Sequence, residues 1–190
     1  MRELCKELAA RCETVVLTLD RVVDAVAAGE VDFAAVSLLV TPERRARLLL
    51  TKPYYRSISV WFARPGVKPG EVRAAVVKGG TQARYAQARG WAQLPFDNHE
   101  AIFGALATGQ AQATLLPMAN AVALQQDPRM SAQGLASTVV QDPELAGDAA
   151  LGVNPRDRAL LDKLNDAIDE IKRDGRFDRI NTRFIPFRLQ

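Results

Sequence analysis

The sequence is poor in the side chains that bind metal ions. Its 190 residues include one histidine, His99, and two cysteines, Cys5 and Cys12. A structural zinc site needs about four such ligands, so no metal site is expected. The spacing of the apolar residues predicts a single helix over residues 2–12. On that helix the two cysteines would lie about 10 Å apart, too far for a disulfide, and we expect both to pack as small apolar residues.

Excess charge and long apolar runs are also scarce. The net charge is +3, from 25 basic and 22 acidic residues, which is too small to indicate a nucleic-acid-binding protein. No apolar run approaches the ~20 residues that span a bilayer. The N-terminal sequence MRELCKELAARC is charged and does not resemble a signal peptide, so either a signal was removed or the protein stays in the cytoplasm.

Predicted strands and helices alternate along the chain, which indicates an α/β fold with largely parallel sheets. A short strand is predicted at Thr14–Leu17, and a strand buried on both faces at Val31–Val40. Chain breaks near residues 64–70 and 146–152 separate two segments of similar order, which suggests two lobes. Any two βα units look this similar, so the repeat supports two lobes only because the breaks fall between its copies.

Two loops have features that suit an anionic ligand. Thr41 is a predicted helix N-cap, and Arg44 in the first turn can hold a carboxylate with two parallel hydrogen bonds. Gly79 and Gly80 lie between a strand and a helix, where backbone N–H groups are accessible beside the Thr81 hydroxyl. Each loop also has an ordinary explanation, a surface arginine in the first case and a tight turn in the second.

Four sequence patterns together resemble one family. They are G-E-V-D at Gly29–Asp32, T-P-E-R at Thr41–Arg44, P-Y-Y at Pro53–Tyr55, and the closing DKLNDAIDEIKRDGRFDRINTRF at 162–184. This combination resembles the bacterial extracellular solute-binding proteins of family 3, the amino-acid-binding type that serves ABC transporters. The resemblance implies a two-lobed α/β fold of the periplasmic-binding-protein type II.

The resemblance also implies how the chain is divided. Residues 1–64 and 153–190 are expected to form lobe 1, and residues 65–152 to form lobe 2. Family members begin with a strand that precedes the helix matched by Met1–Arg11. Lobe 1 is therefore expected to be incomplete at its N-terminus, with an open sheet edge through which two copies could pair.

The resemblance implies a ligand site that keeps the groups for binding an anion and lacks those for binding a cation. Arg44 matches the family's carboxylate anchor, and Thr81 matches a second carboxylate contact. Pro117 stands where the family has an aspartate for the ligand's ammonium group, and Leu39 stands where it often has threonine. The complete set of expected site residues is Ser37, Leu38, Leu39, Arg44, Gly80, Thr81, Pro117 and Met118. We therefore expect a ligand that carries a carboxylate, either amino-acid-like or an organic acid.

The expected function is extracytoplasmic, or periplasmic, binding of that small carboxylate for an ABC transporter permease, without chemistry, cofactor or nucleic acid. One alternative is a degenerate or truncated module, such as a sensor or a partner-binding domain, that holds no small ligand. Another is an enzyme that resembles cyclohexadienyl dehydratases. An enzyme would need an acid or base at the site, and the candidates, Glu43 and His99, are few.

Overall fold

The computed structural model describes residues 1–184, along which helices and strands alternate. The helices are α1 (Arg2–Glu7), α2 (Leu19–Ala28), α3 (Pro42–Arg47), α4 (Thr81–Ala88), α5 (His99–Ala107), α6 (Met118–Gln126), α7 (Arg158–Arg173) and α8 (Arg176–Asn181). The strands are β1 (Phe33–Leu39), β2 (Leu49–Leu50), β3 (Tyr55–Ser57), β4 (Ser59–Ala63), β5 (Ala74–Val77), β6 (Gln93–Phe96), β7 (Ala113–Pro117), β8 (Ala136–Val140) and β9 (Gly147–Val153). This order confirms the predicted α/β class. Of the helices in residues 1–184, none combines the length and the apolarity that a membrane span requires.

The chain divides into two compact units. Unit 1 contains Met1–Leu17, Arg21–Arg56 and the chain from Asp148 onward, and unit 2 contains Thr18–Asp20 and Ser57–Gly147. The chain enters the main part of unit 2 after Arg56 and leaves it after Gly147, in both cases earlier than the sequence-based boundaries at 64 and 153. Strand pairing is the reason, because β4 pairs with β7 and β8 in unit 2 while β9 pairs with β1 and β2 in unit 1. Residues 185–190, which the sequence assigns to lobe 1, lie outside the described residues.

Unit 1 is built around β9. β1 pairs with β9 on one side, while β2 and β3 pair with it on the other. Helix α7 covers this sheet with a buried stripe at helical spacing, formed by Leu161, Leu164, Ala167, Ile168 and Ile171. The Asp157 side chain accepts a hydrogen bond from the Leu160 N–H and so caps the N-terminus of the helix. The central strand and the longest helix therefore form most of the unit 1 core.

Unit 2 contains a five-stranded sheet in the order β6-β5-β7-β4-β8. Every residue of β4 and β5 is buried, because apolar clusters cover both faces of the sheet. Val60 and Phe62 contribute to one cluster, and Trp61 and Ala63 to the other, as the alternation of a strand requires.

The prediction of largely parallel sheets is wrong for part of the structure. β1 and β2 both run antiparallel to β9, and β4 runs antiparallel to β7 and β8. β5 does pair in parallel, with β6 and with β7, and helices α4 and α5 make those crossovers. β4 and β9 lie next to passages of the chain between units, and no βαβ crossover joins either strand to its antiparallel neighbours.

The prediction of one helix over residues 2–12 is also wrong. Helix α1 ends at Glu7, and Ala9 then takes a positive φ of 47°, which reverses the chain. The reversal brings Cys12 back to Cys5, and the two form a disulfide with their Cα atoms 6.1 Å apart. The expectation that these cysteines are too far apart to pair assumed a continuous helix and is therefore incorrect.

Two strand predictions near the N-terminus also need correction. Thr14–Leu17 is not part of any sheet within residues 1–184. β1 forms as predicted, but the register against β9 shifts between Ala34 and Leu38, and residues 35–37 are exposed. The prediction that this strand is buried on both faces therefore fails at its centre, where a bulge turns the chain towards solvent.

Candidate functional site

Arg44 is held inside unit 1 at the start of α3. The Thr41 hydroxyl accepts a hydrogen bond from the Arg44 N–H at 3.3 Å, and a proline occupies the first helical position. Only 6% of Arg44 is exposed, and its Nη1 donates to the Leu39 carbonyl oxygen at 2.8 Å. Because a buried guanidinium is costly to desolvate, an arginine in this position is more than a surface charge.

The three predicted residues on β1 have different environments. Ser37 is exposed, and its hydroxyl hydrogen-bonds with the Tyr54 hydroxyl at 2.7 Å. Leu39 is buried and supplies the carbonyl oxygen that holds Arg44. Leu38 is 1% exposed and packs directly against Gly152, where an added methyl group would lie 2.9 Å from the Leu38 Cδ1 atom. Leu38 therefore belongs to the interior of unit 1.

Tyr54 is a polar group beside this strand to which the sequence did not assign a role. Its ring packs edge-on against Tyr55, with centroids 5.2 Å apart, and its hydroxyl meets Ser37. Burial raises the pKa of Tyr54 to about 12, and the Ser37 hydrogen bond only partly opposes that effect. The P-Y-Y pattern identified the segment, but it did not indicate which of the two tyrosines would contact β1.

The raised pKa of Tyr54 predicts a loss of stability at alkaline pH. Neutral Tyr54 stabilises the fold fully below pH 10, and this contribution is lost as the pH rises towards about 12. Urea denaturation at a series of alkaline pH values measures this loss. Over this range the free energy of unfolding of Tyr54→Phe should fall by about 1–2 kcal/mol less than that of the wild type. The Tyr55→Phe variant serves as the matched control and should behave like the wild type. Equal alkaline losses in the wild type and Tyr54→Phe would contradict the assignment.

In unit 2, the glycine loop leads directly into α4. Gly79 has a φ of 71°, and Gly80 is the N-cap of the helix that Thr81 begins. Arg84 folds back over this loop, where its Nη1 donates to the Gly79 carbonyl oxygen at 2.8 Å and its Nη2 to the Thr81 hydroxyl at 3.3 Å. Arg84 was not among the residues predicted from the sequence, although its position three residues after Thr81 places both on one helix face.

Pro117 and Met118 join β7 to α6. Pro117 is the N-cap of α6, and the Met118 N–H donates to the Ile58 carbonyl oxygen at 2.8 Å. β5 and β7 are neighbouring parallel strands, so Thr81, which follows β5, and Pro117, which ends β7, lie at the same edge of the sheet. Unit 2 therefore brings its four predicted residues to one edge, namely Gly80, Thr81, Pro117 and Met118.

Comparisons with known proteins agree with this architecture. The sequence pattern of the bacterial extracellular solute-binding proteins, family 3, matches residues 1–187. The ABC transporter arginine-binding protein 1 of Escherichia coli (strain K12) is 26% identical over 194 residues, which cover 97% of this chain and 79% of that protein.

Two solved structures resemble the fold. A Salmonella typhimurium periplasmic binding protein with high arginine specificity has a TM-score of 0.84 at 20% identity, covering 96% of this chain and 85% of its own. An ancestral amino-acid-binding protein, a precursor of cyclohexadienyl dehydratase, has a TM-score of 0.79 at 21% identity, covering 96% and 81%. These structures support the type II periplasmic-binding-protein fold that the sequence predicted. Since the family pattern extends over nearly every residue, the chain belongs to the bacterial extracellular solute-binding proteins, family 3.

Proposed function

We propose that this protein binds a small carboxylate-bearing solute outside the cytoplasm and delivers it to an ABC transporter permease. The observation that carries the proposal is the buried Arg44, held by the Leu39 carbonyl oxygen at the capped start of α3. Guanidinium groups match carboxylates in geometry, since two parallel N–H donors face two oxygens. The similarity to an arginine-binding protein of an ABC transporter supports the transport role.

Unit 2 has its own groups that suit a carboxylate. Thr81 offers a hydroxyl at the start of α4, next to the glycine loop, and Arg84 is hydrogen-bonded to that loop and to Thr81. A helix N-terminus and an arginine both favour negative charge. Thr81 and Arg84 are therefore assigned to anion binding, with Gly80 allowing close approach to the backbone.

The ammonium group of an α-amino acid has no evident counter-charge at the predicted position. β7 ends in Pro117, which carries neither a carboxylate nor an N–H group, and Met118 and Ala119 follow it. An ammonium ion buried without a partner loses its hydration at a high cost in free energy. The proposed ligand is therefore an organic acid, or an amino-acid-like acid whose cationic group is absent or stays in water.

The disulfide between Cys5 and Cys12 supports the extracytoplasmic location, because such bonds persist in oxidising compartments.

The proposed function is binding of a solute without a chemical reaction. His99, one of two candidate bases from the sequence, has a pKa lowered to about 4 by burial, so at neutral pH it is an uncharged imidazole. Turnover of prephenate or arogenate by the purified protein would overturn this part of the proposal.

The test is a panel of organic acids and amino acids, measured as shifts in melting temperature and then by calorimetric titration. A ligand that binds only the folded state should raise the melting temperature in proportion to the logarithm of its concentration. Arg44→Ala should weaken binding roughly 30-fold or more, since a buried charge contact is lost. Arg44→Lys should recover only part of the affinity, because lysine lacks the paired donors.

Arg45→Ala is the matched control, because Arg45 is the exposed neighbour of Arg44 in the same helix. It should bind like the wild type. Melting curves without ligand establish that each variant is folded. Two results would overturn the proposal: no acid in the panel shifts the folded wild type at millimolar concentration, or Arg44→Ala binds as tightly as Arg45→Ala.

A further inference from the structure

Gln82 is a buried polar side chain in the first turn of α4, next to Thr81 in the sequence. It is only 7% exposed, although glutamine normally lies at the protein surface. An amide that loses its hydration on burial must find hydrogen-bond partners within the protein, or the burial costs free energy. The partners of Gln82 therefore indicate why a glutamine occupies this position.

A directed chain of hydrogen bonds runs from Gln82 through Ser59 to Leu145. The Ser59 hydroxyl donates its single hydrogen to the Leu145 carbonyl oxygen at 3.0 Å. The Ser59 oxygen is then an acceptor, and the Gln82 Nε2 atom donates to it at 3.0 Å. Ser59 is 1% exposed and Leu145 is 0% exposed, so water does not compete for these bonds.

The amide of Gln82 lies between the glycine loop and the interior of unit 2. Ser59 is near the start of Ser57–Gly147, the main part of unit 2, and Leu145 is near its end. The Gln82 Oε1 atom is beside the loop, since a methyl group added to Gly80 would lie 3.5 Å from it. One side chain therefore joins the loop that leads into α4 to two buried points of the same unit.

The later turns of α4 are held through the same face of the helix. Tyr85 and Arg89 follow Gln82 at helical spacing. The Tyr85 hydroxyl donates to an Asp142 carboxylate oxygen at 2.9 Å. Arg89 donates to the carboxylates of Asp142 and Glu144, at 2.8 Å and 3.2 Å. Ion pairs therefore fix the end of α4, while the hydrogen bond of Gln82 fixes its start.

We propose that Gln82 is a positioning residue, whose hydrogen bond to Ser59 holds the first turn of α4, and with it Gly80 and Thr81, in place for an anionic ligand. The inference rests on the proposed function, because Thr81 is assigned there to anion binding. Gln82 acts through its neighbours and has no ligand contact in this proposal. Groups that are held in place before binding lose less freedom when a ligand arrives, so the hydrogen bond should increase affinity.

The first measurement is hydrogen exchange of the protein without ligand. The Gly80 N–H donates to the Val77 carbonyl oxygen at 3.0 Å, and the Arg84 N–H donates to the Gly80 carbonyl oxygen at 3.1 Å. Gln82→Met keeps the length of the side chain and removes its donor. Both amides should exchange about fivefold faster in this variant, because the first turn opens locally at the loss of one hydrogen bond fewer. Ser59→Ala should have the same effect.

The matched control is Thr114→Val, which also removes a buried hydrogen bond within unit 2. The Thr114 hydroxyl donates to the Ala75 carbonyl oxygen at 2.8 Å, and Thr114 is 0% exposed. This variant should lower the melting temperature about as much as Gln82→Met, by about 2–4 °C. The exchange of the Gly80 and Arg84 amides should stay at the wild-type rate, which separates positioning from general stabilisation.

The second measurement is calorimetric titration with glutarate and L-glutamate, which differ by the α-ammonium group. The acid that binds the wild type should bind Gln82→Met about fivefold more weakly and Thr114→Val with wild-type affinity. The inference is overturned if the Gly80 and Arg84 amides of Gln82→Met exchange at the wild-type rate, or if Thr114→Val weakens binding as much. Failure of the proposed function is a different result, in which no acid binds the wild type, and the exchange rates then still decide whether Gln82 holds the loop.

Discussion

Gly79→Ala should destabilise the protein by about 2–4 kcal/mol, from a left-handed backbone and a steric clash together. Gly79 has a φ of 71°, which costs an alanine about 1 kcal/mol or more. An added methyl group would also lie 2.5 Å from the Cα atom of Asp20 and 2.7 Å from its N atom. Both are backbone atoms of Asp20, which lies in the first turn of α2. Asp20 belongs to the short segment Thr18–Asp20 of unit 2. Neither can move without displacing the helix start.

Gly90→Ala separates the two contributions. Gly90 has a similar φ of 68°, but no atom lies within 4 Å of the position that its methyl group would occupy. This control should therefore lose only about 1 kcal/mol, the cost of the backbone conformation. Urea denaturation followed by circular dichroism measures both variants, and the difference between them gives the cost of the contact with Asp20. Equal losses would show that the contact between Gly79 and Asp20 carries no cost.

Leu164→Ala should destabilise unit 1 by about 3–5 kcal/mol, the usual cost of an alanine at a fully buried leucine. Leu164 is 0% exposed and lies at the middle of α7, in one apolar cluster with Leu151, Val153 and Leu161. Truncation removes favourable burial and leaves a cavity that the sheet beneath cannot fill. Because whole domains are stable by only about 5–15 kcal/mol, this single change removes a large share of the total.

Leu160→Ala is the matched control for this prediction. Leu160 lies in the same helix and packs against the same cluster, but it is only partly buried. Its loss should be about 1 kcal/mol, since less apolar area is removed from the core and water can reach part of the site. Melting temperature and urea midpoint give the ranking. A loss at Leu160 as large as that at Leu164 would contradict the central position assigned to Leu164.

Local signals in the sequence predicted much of the fold. Thr41 was a predicted helix N-cap, and in the structure its side chain accepts a hydrogen bond from the backbone N–H three residues later, as the Asn98 side chain does at the start of α5. The predicted strand at Val31–Val40 contains β1 (Phe33–Leu39). Asn154 and Pro155 also resemble a helix start, but α7 begins at Arg158, because the Asn154 side chain accepts from the Arg156 N–H in a turn before the helix.

Features that depend on distant partners were not predictable. The disulfide requires the chain reversal at Ala9, which no local preference of alanine indicates. The crossings between units depend on which strands β4 and β9 pair with, and a strand's own sequence does not specify its neighbours.

The same difference between local features and features that depend on distant partners applies to the candidate site. The capped turn that carries Arg44 followed from T-P-E-R, whereas the burial of Arg44 against the Leu39 carbonyl oxygen did not. The glycine loop before α4 was visible in the sequence, but the return of Arg84 onto that loop depends on a side-chain conformation. Motifs therefore located the loops, and only the structure gave the hydrogen-bond partners of Arg44 and Arg84 described above.

The place of β9 at the centre of unit 1 has a consequence for how the protein is made. β1 pairs with β9 through contacts such as Phe33 with Val153, so nearly the whole of unit 2 leaves the ribosome between them. All five strands of the unit 2 sheet lie within Ser57–Gly147 and are complete before β9 emerges. The first part of unit 1 must therefore wait, with its central strand missing, until the second unit has been synthesised. Long-range pairing of this kind also slows refolding of the full chain, and unit 1 should be the later of the two to form.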